Sequence, residues 1–271
     1  MTTINTNLSS LNAQRNLTKS AGELSTSMQR LSSGLRVNSA KDDAAGMSIA
    51  TKMDSQVRGM TQASRNANDG ISLIQTADGA LSNIGDALQR IRELAVQGSN
   101  ATNGTDEWKN IDTEVQELNK EIARIAKDTK FNGNAVLSST AATKNIQVGA
   151  DSGQTITVSF GANTAFAGLT IAAMTDATTS STALAAVDGA LTALNTERAS
   201  LGTAQNRMGY AISNLATSIE NQSAAKSRIM DTDYAAETSK LSRSQILQQA
   251  GTAMLAQANS APNSVMSLLR G

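Results

Sequence analysis

The sequence predicts a mainly α protein: an elongated antiparallel coiled-coil or helical-bundle rod, with a small β-hairpin region at the end distal to the paired N- and C-terminal helices. Two long stretches, residues 44–97 and 184–229, carry apolar side chains at alternating steps of three and four. This pattern is typical of helices that lie against other helices. Aromatic residues make up only 2% of the chain, which favours narrow helix–helix seams over a broad globular core. The single proline, Pro262, interrupts none of the preceding patterns.

The first half of the chain is predicted to form three helices. An apolar stripe runs through residues 4–36, and the polar break after it ends the first helix. Asp42 and Asp43 are then placed to cap the helix 44–97, which at 1.5 Å per residue is roughly 80 Å long. A polar turn leads into a third helix, residues 105–128, and this short connection favours an antiparallel neighbour.

The second half begins with a change of pattern. Residues 131–160 contain short, alternating, β-branched segments around turn residues, which predicts a β-hairpin region. Residues 161–182 are rich in Ala, Thr, Ser and Gly and are predicted to be an exposed variable insertion. The helix 184–229 follows, and a last helix with one apolar face completes a near-mirror arrangement of helices.

The two ends are predicted to pair as a terminal helical domain, residues 1–42 with 232–271, beside a core rod domain of residues 43–231. Two helices alone leave apolar stripes in water, and faces rich in Ala, Ser and Asn give little burial against the entropy of ordering. Both ends are therefore predicted to be disordered in the free monomer and to fold when copies associate; a self-contained core is the alternative. The side chains expected to carry polymerisation are Leu8, Leu11, Leu24, Leu31, Leu247, Met254, Val265 and Leu268.

Composition argues against several classes of protein. The chain has no cysteine and no histidine, which excludes thiolate nucleophiles, Cys/His zinc sites and the histidine-based metalloprotease motif. We therefore expect no enzyme, no cofactor and no metal, and we assign the acidic pairs near residues 42 and 231 to helix capping, because they lack the spacing of a calcium loop.

Membrane and nucleic-acid partners are not expected either. No apolar run approaches the ~20 residues of a membrane span, and the N-terminus lacks the pattern of a cleavable secretory signal. Any export should therefore use another route. Basic side chains cluster weakly at both ends but are sparse and not interleaved with aromatics, which disfavours nucleic-acid binding.

Several long motifs, in order along the chain, resemble bacterial flagellin. They are the opening MTTINTNLSSLNAQRNL, RLSSGLRVNSAKDDAAG at residues 30–46, LQRIRELAVQ at residues 88–97, FNG, IQVGA and the final segment 263–270. The resemblance covers about residues 1–160 and 184–270. Large flagellins carry outer domains where this chain has only its short insertion, so the resemblance implies a short flagellin with just the filament core.

The resemblance implies a structural subunit that is exported unfolded through the flagellar type III apparatus and self-assembles into the extracellular flagellar filament for motility. The alternative is the hook–filament junction protein of the same flagellar family. The terminal helices would line the inner tube of the filament. Implied partners are further copies of the chain, a filament cap protein, the hook–filament junction protein, an export chaperone on the C-terminal helix, and an animal Toll-like receptor of innate immune recognition.

The resemblance also implies two surface sites. Receptor recognition in the family centres on the segment that matches residues 88–97 and on a glutamate of the following helix, so Arg90, Leu94 and Glu114 are expected to form a receptor or inter-subunit surface. From the residues alone, ordinary solvated charges around a core leucine are the alternative. Many flagellins carry O-linked sugar, although an unmodified polar loop is the alternative here. The candidate acceptors are Thr178, Thr179, Ser180 and Ser181.

Overall fold

The computed structural model describes residues 6–137, 143–160 and 171–270, and for residues 261–270 it describes the backbone alone. Within these residues the chain is mainly helical with a small β-hairpin region, which confirms the predicted fold class. The helices are α1 (Leu8–Ser33), α2 (Ala44–Gly98), α3 (Thr105–Asp128), α4 (Ala177–Met230) and α5 (Tyr234–Arg270). The strands are β1 (Lys130–Phe131), β2 (Asn134–Ala135), β3 (Lys144–Gln147) and β4 (Thr155–Val158).

Side chains close both ends of α2. At its start the Oδ1 atom of Asp43 accepts a hydrogen bond of 2.8 Å from the backbone N–H of Gly46, which satisfies one of the unpaired donors of the first turn. At its end the indole Nε1 of Trp108, on α3, donates to the carbonyl oxygen of Gly98 at 2.7 Å. Trp108 therefore ties the start of α3 to the end of α2.

The helix α4 begins earlier than predicted. It starts at Ala177, inside the predicted insertion 161–182 and ahead of the predicted helix 184–229; residues 161–170 lie outside the described residues. Asp176 and Thr179 cap the start reciprocally, because Asp176 Oδ1 accepts from the N–H of Thr179 at 2.7 Å and Thr179 Oγ1 accepts from the N–H of Asp176 at 3.0 Å. The predicted start was wrong because the Ser and Thr residues of these first turns hide the apolar period.

The described part of the β-hairpin region contains two separate antiparallel pairs, β1 with β2 and β3 with β4. Asn132 and Gly133 connect β1 to β2 with φ angles of 48° and 78°, the left-handed conformation for which Asn-Gly turns are favoured. In the second pair Ile146 lies opposite Ile156. Ile156 and Val158 are buried, so one face of this pair contributes to the main core.

The chain divides into two compact units, Met1–Ser55 with Asn221–Gly271 and Gln56–Glu220. In the second unit α2 and α4 run antiparallel, as the ion pairs Arg92–Asp188 and Arg198–Asp78 show, each with a closest N–O distance of 2.7 Å. The core of this unit is mostly aliphatic and lies between α2, α3, α4 and the β-hairpin region. Its largest fully buried side chains are Ile74, Leu81, Ile84, Leu88, Ile91, Ile122, Leu137, Phe160, Ile171, Met174 and Leu201.

The first unit contains the pair α1–α5 and a small apolar cluster around Val37, Ala50 and Met230. Two connecting segments meet beside this cluster: Leu35 and Asp231 form an isolated antiparallel bridge. The predicted assignment of residues 1–42 with 232–271 to a separate terminal domain, and its disorder in the free monomer, stay predictions.

Candidate self-assembly surface

The most deeply buried side chains between α1 and α5 are polar. These side chains of the α1–α5 seam are 4–7% exposed and are Ser10, Ser20, Ser27, Glu237 and Ser244. Among the described side chains of these two helices, none of the large apolar ones is buried. The leucines that are only partly buried are Leu17, Leu24, Leu31, Leu241 and Leu255. Pairing therefore covers the apolar stripes of both helices only in part and gains only part of the available hydrophobic stabilisation.

Hydrogen bonds from side chains of α1 to groups of α5 align the two helices. Asn7 Nδ2 donates to the carbonyl oxygen of Ala258 at 2.6 Å, and Ser10 Oγ donates to Asn259 Oδ1 at 2.7 Å. Asn7 also begins α1, because its Oδ1 accepts from the backbone N–H of Ser10 at 3.0 Å. The N-terminal end of α1 thus lies beside the C-terminal part of α5, so the two helices are antiparallel.

Glu237 is the charged member of the seam. Its Oε1 accepts a hydrogen bond of 2.6 Å from Ser27 Oγ, and its Oε2 lies 3.2 Å from Lys240 Nζ and 4.0 Å from Arg30 Nη1. These contacts lower the pKa of the Glu237 carboxyl group, the hydrogen bond from Ser27 first, then Lys240 and Arg30. The buried group therefore stays ionised and keeps its partners.

Four of the predicted polymerisation residues have exposed side chains. Leu8 and Met254 are 68% and 64% exposed, and Leu11 and Leu247 are also exposed. Leu24 and Leu31 are partly buried. Val265 and Leu268 belong to α5, but their side chains lie outside the described residues. The pair thus presents large apolar groups to solvent along both helices.

Two further exposed apolar side chains widen this face. Met28 continues the predicted stripe of α1, whereas Ile246 on α5 lies off the predicted stripe and was missed. Its position directly before Leu247 is the signal that the apolar face of α5 is wider than one heptad line. A groove of about 640 Å³ between the helices is lined by Leu17, Leu247 and Met254 together with polar side chains such as Asn12 and Asn16.

The turn after α1 fixes where the pair begins. Gly34 adopts a left-handed conformation with φ of 72°, and its N–H donates to the carbonyl oxygen of Arg30 at 2.8 Å. The N–H of Arg36 donates to Met230 O at 2.6 Å, and the N–H of Thr232 donates to Gly34 O at 2.9 Å. Backbone hydrogen bonds therefore join the end of α1 to the turn before α5.

The structure brings Arg90 and Glu114 together and separates Leu94 from them. Arg90 Nε donates to Glu114 Oε1 at 2.9 Å and Arg90 Nη1 donates to Glu93 Oε2 at 3.1 Å, on an exposed face of α2 and α3. The hydrogen bond to Glu114 is the main cause that raises the pKa of the guanidinium group of Arg90. Leu94 is only 3% exposed and packs in the main core. The expectation of a leucine anchor on this surface is therefore wrong, because Leu94 faces the core; Val96 is the exposed apolar side chain nearby.

The candidate sugar acceptors lie in the first turns of α4 and not in a loop. Thr178 and Ser181 are exposed, and Thr179 is partly buried and occupied by the cap. Ser180 is fully buried, and its hydroxyl donates to the carbonyl oxygen of Asp176 at 2.9 Å. Ser180 is therefore not an accessible acceptor, because it packs inside the unit beside Gly98.

The acidic pairs serve local structure. Asp43 caps α2, and Asp233 accepts from the N–H groups of Ala235 and Ala236 at the start of α5. Asp42 accepts from the N–H and hydroxyl groups of Ser39, contacts that lower the pKa of its carboxyl group. The described residues contain no group of three or more side chains suited to hold a metal ion.

Comparisons with known proteins identify the family. Residues 4–142 match the bacterial flagellin N-terminal helical region, and residues 184–269 match the bacterial flagellin C-terminal helical region. A flagellin of Halalkalibacterium halodurans is 46% identical over 273 residues, which cover 98% of this chain and 99% of that protein. The chain belongs to the bacterial flagellin family. A flagellin of Xenorhabdus nematophila is 43% identical over 309 residues, again with 98% of this chain and 99% of the relative covered.

A solved flagellin structure agrees with the fold. The crystal structure of Bacillus cereus flagellin is 35% identical, with a TM-score of 0.51 over 56% of this chain and 88% of that chain. As a flagellin, the chain is a structural subunit of the extracellular flagellar filament and not an enzyme. The matches favour this role over that of the junction protein. Of the helices described, none combines the length and the apolar character that crossing a membrane requires.

Proposed function

We propose that copies of this filament subunit polymerise through the exposed apolar face of the α1–α5 pair. The observation that carries the proposal is the pattern of burial in the pair: the most deeply buried of the described side chains are serines and Glu237, whereas Leu11, Leu247 and Met254 lie in solvent. Each such side chain gains roughly 1.5–3 kcal/mol when fully buried, and a filament repeats that gain at every copy. The proposed polymerisation residues are Leu8, Leu11, Leu24, Leu31, Leu247, Met254, Val265 and Leu268.

Charged substitutions on this face test the proposal. Met254→Asp and Leu11→Asp should abolish salt-induced filaments seen by electron microscopy, because each places a carboxylate at a site that assembly must desolvate. Gln249→Asp is the matched control, since it adds the same charge at an exposed polar position of α5. Trp108 fluorescence should show the second unit folded in all three variants. Normal filaments from Met254→Asp would overturn the proposal.

The free subunit is proposed to keep residues 1–42 and 232–271 disordered, so that it can be exported unfolded through the flagellar type III apparatus and order in the inner tube. The α1–α5 pair supports this, because its described leucines are at most partly buried and so offer limited apolar burial to offset the entropy of ordering. Hydrogen exchange on a dilute monomer is the measurement. Strong protection of amides in residues 8–33 would contradict the proposal.

Assembly partners follow from the same face. We propose that an export chaperone covers the apolar face of α5 before secretion, and that a filament cap protein and the hook–filament junction protein meet the subunit at the two ends of the growing filament. Met254→Asp should weaken binding of the chaperone from the same bacterium, whereas Gln249→Asp should not. Equal affinity of both variants for the chaperone, measured by calorimetry, would contradict the proposal that the chaperone binds this face.

The second candidate function is recognition by an animal Toll-like receptor through Arg90 and Glu114. Their ion pair is about half exposed, so both side chains can exchange partners with a docking protein or a neighbouring subunit. Arg90→Ala should reduce receptor activation by the monomer, whereas Arg124→Ala, which removes another exposed ion-paired arginine, should not. Unchanged activation by Arg90→Ala would sink this candidate.

A further inference from the structure

The α1–α5 seam repeats itself along both helices. Ser20 and Ser27 are buried on α1 and lie one heptad apart, and Glu237 and Ser244 are buried on α5 with the same separation. Sliding α1 along α5 by one heptad, about 10.5 Å, brings Ser20 to the position of Ser27. Its hydroxyl can then donate to Glu237 as Ser27 does, so the serines alone do not distinguish the two registers.

Charges placed one turn after these serines do distinguish them. Arg30 follows Ser27 by three residues, and its Nη1 lies 4.0 Å from Glu237 Oε2. Glu23 follows Ser20 by the same three residues. In the shifted register Glu23 takes the place of Arg30, so an attractive pair is replaced by two carboxylates. A second carboxylate at this position repels Glu237, and salt screens the repulsion little because Glu237 is buried.

The other charges of the groove do not reverse this preference. Lys19 also lines the groove, and in the shifted register it moves to the place of Thr26. Because that position is exposed, the attraction of Lys19 to Glu237 there is weak. Lys240 lies on α5 with Glu237 and moves with it, so that ion pair is the same in both registers. In the observed register Glu23 lines this groove of about 600 Å³ together with Lys240 and Arg243. In the observed pairing Glu23 thus shares a groove with basic side chains as well as with Glu237, whereas in the shifted pairing it takes the position directly beside Glu237.

We propose that Arg30 and Glu23 select the register of α1 against α5 through opposite interactions with Glu237: Arg30 stabilises the observed pairing, and Glu23 excludes the pairing shifted by one heptad. Buried polar side chains fix register in coiled coils in the same way, at some cost in stability. An assembling subunit needs one register, because a shifted pair presents a different arrangement of Leu11 and Met254 to its neighbours.

Engineered cysteines measure the register directly, since the natural chain has none. Ser10→Cys with Asn259→Cys reports the observed register, because the two wild-type side chains are hydrogen-bonded at 2.7 Å. Ser10→Cys with Thr252→Cys reports the shifted register, because Thr252 precedes Asn259 by one heptad. Each full-length variant is oxidised under polymerising conditions, and the intrachain disulfide is quantified as a monomer band of altered mobility on a non-reducing gel.

The charge swap Glu23→Arg with Arg30→Glu is the decisive perturbation, and it leaves the net charge unchanged. The first cysteine pair should dominate without the swap, and the swap should lower the ratio of observed to shifted cross-link by about tenfold, equivalent to about 1.4 kcal/mol. In the Glu237→Gln background the swap should change this ratio less than about twofold, because the carboxylate that attracts Arg30 and repels Glu23 is absent.

Three results overturn the proposal. The first is a ratio that the swap leaves within about twofold. The second is an equally large shift in the Glu237→Gln background, which would place the effect elsewhere. The third is the absence of the first cross-link without the swap, which would mean that α1 and α5 do not pair as observed. None of these results depends on whether the exposed leucine face forms the filament contact.

Discussion

Replacing Leu94 with alanine should lower the free energy of unfolding of the second unit by about 3 kcal/mol. Leu94 is 3% exposed in the core between α2, α3 and α4, and truncation of a buried leucine removes apolar contacts and leaves a cavity, at a cost of roughly 2–5 kcal/mol. Val96, two residues further along α2, is 52% exposed, so Val96→Ala should cost less than about 0.5 kcal/mol. The two variants separate a core role from a surface role.

The assay is urea unfolding followed by the fluorescence of Trp108, the single tryptophan. Its indole is hydrogen-bonded to the last turn of α2, so its emission reports the region that holds Leu94. With a urea slope of about 2 kcal/mol per M, a loss of 3 kcal/mol lowers the midpoint by about 1.5 M. Val96→Ala should move the midpoint by less than about 0.25 M.

Equal midpoints for Leu94→Ala and Val96→Ala would refute the placement of Leu94 in the core. The comparison also separates two causes of lost receptor activation. Arg90→Ala should keep the wild-type urea midpoint, so any loss of receptor activation that it causes reflects a lost surface contact. Any loss of receptor activation in Leu94→Ala should be accompanied by a loss of stability.

Three further predictions concern single residues. The pKa of the Glu237 carboxylate is lowered chiefly by the hydrogen bond from Ser27. The ionised group therefore stabilises the α1–α5 pair above its unfolded pKa of about 4.5, and this contribution is lost as the pH falls through the folded pKa. The loss of filament helicity in acid, measured by circular dichroism, should be less steep for Glu237→Gln. Gly34→Val should cost roughly 1–2 kcal/mol, because φ is 72° and a Cβ would lie 3.1 Å from the Tyr234 hydroxyl; an unchanged critical concentration for polymerisation would contradict this. Peptide mass mapping should find any O-linked sugar on accessible hydroxyls such as that of Thr178 and none on Ser180.

The long helices were predictable because their apolar period is uninterrupted. The predicted helix 44–97 differs from α2 by one residue at its end. The cap at Asp43 was predictable because an aspartate directly before a helical pattern is a common N-cap. The start of α4 was not predictable from period alone. It depends on the reciprocal cap of Asp176 and Thr179, which offsets the weak helix propensity of the Ser and Thr residues that follow.

The candidate surfaces were only partly predictable, because one sequence stripe cannot say which neighbour covers it. The leucine stripes of α1 and α5 were identified, but their pairing through Ser27 and Glu237 was not, since small polar residues carry no periodic apolar signal. Leu94 fits a core stripe and a surface motif equally well in sequence. Leu94 is buried because α3 and α4 pack over that face of α2, and this tertiary contact cannot be deduced from the sequence of α2 alone.

The most direct test of the account is a high-resolution electron microscopy structure of filaments grown from the purified full-length chain. The account predicts uniform helical filaments in which α1 and α5 keep the Ser27–Glu237 contact within each copy. It also predicts that Leu11, Leu247 and Met254 are buried against neighbouring copies. Filaments in which these side chains remain in solvent, while other surfaces hold the copies together, would contradict it.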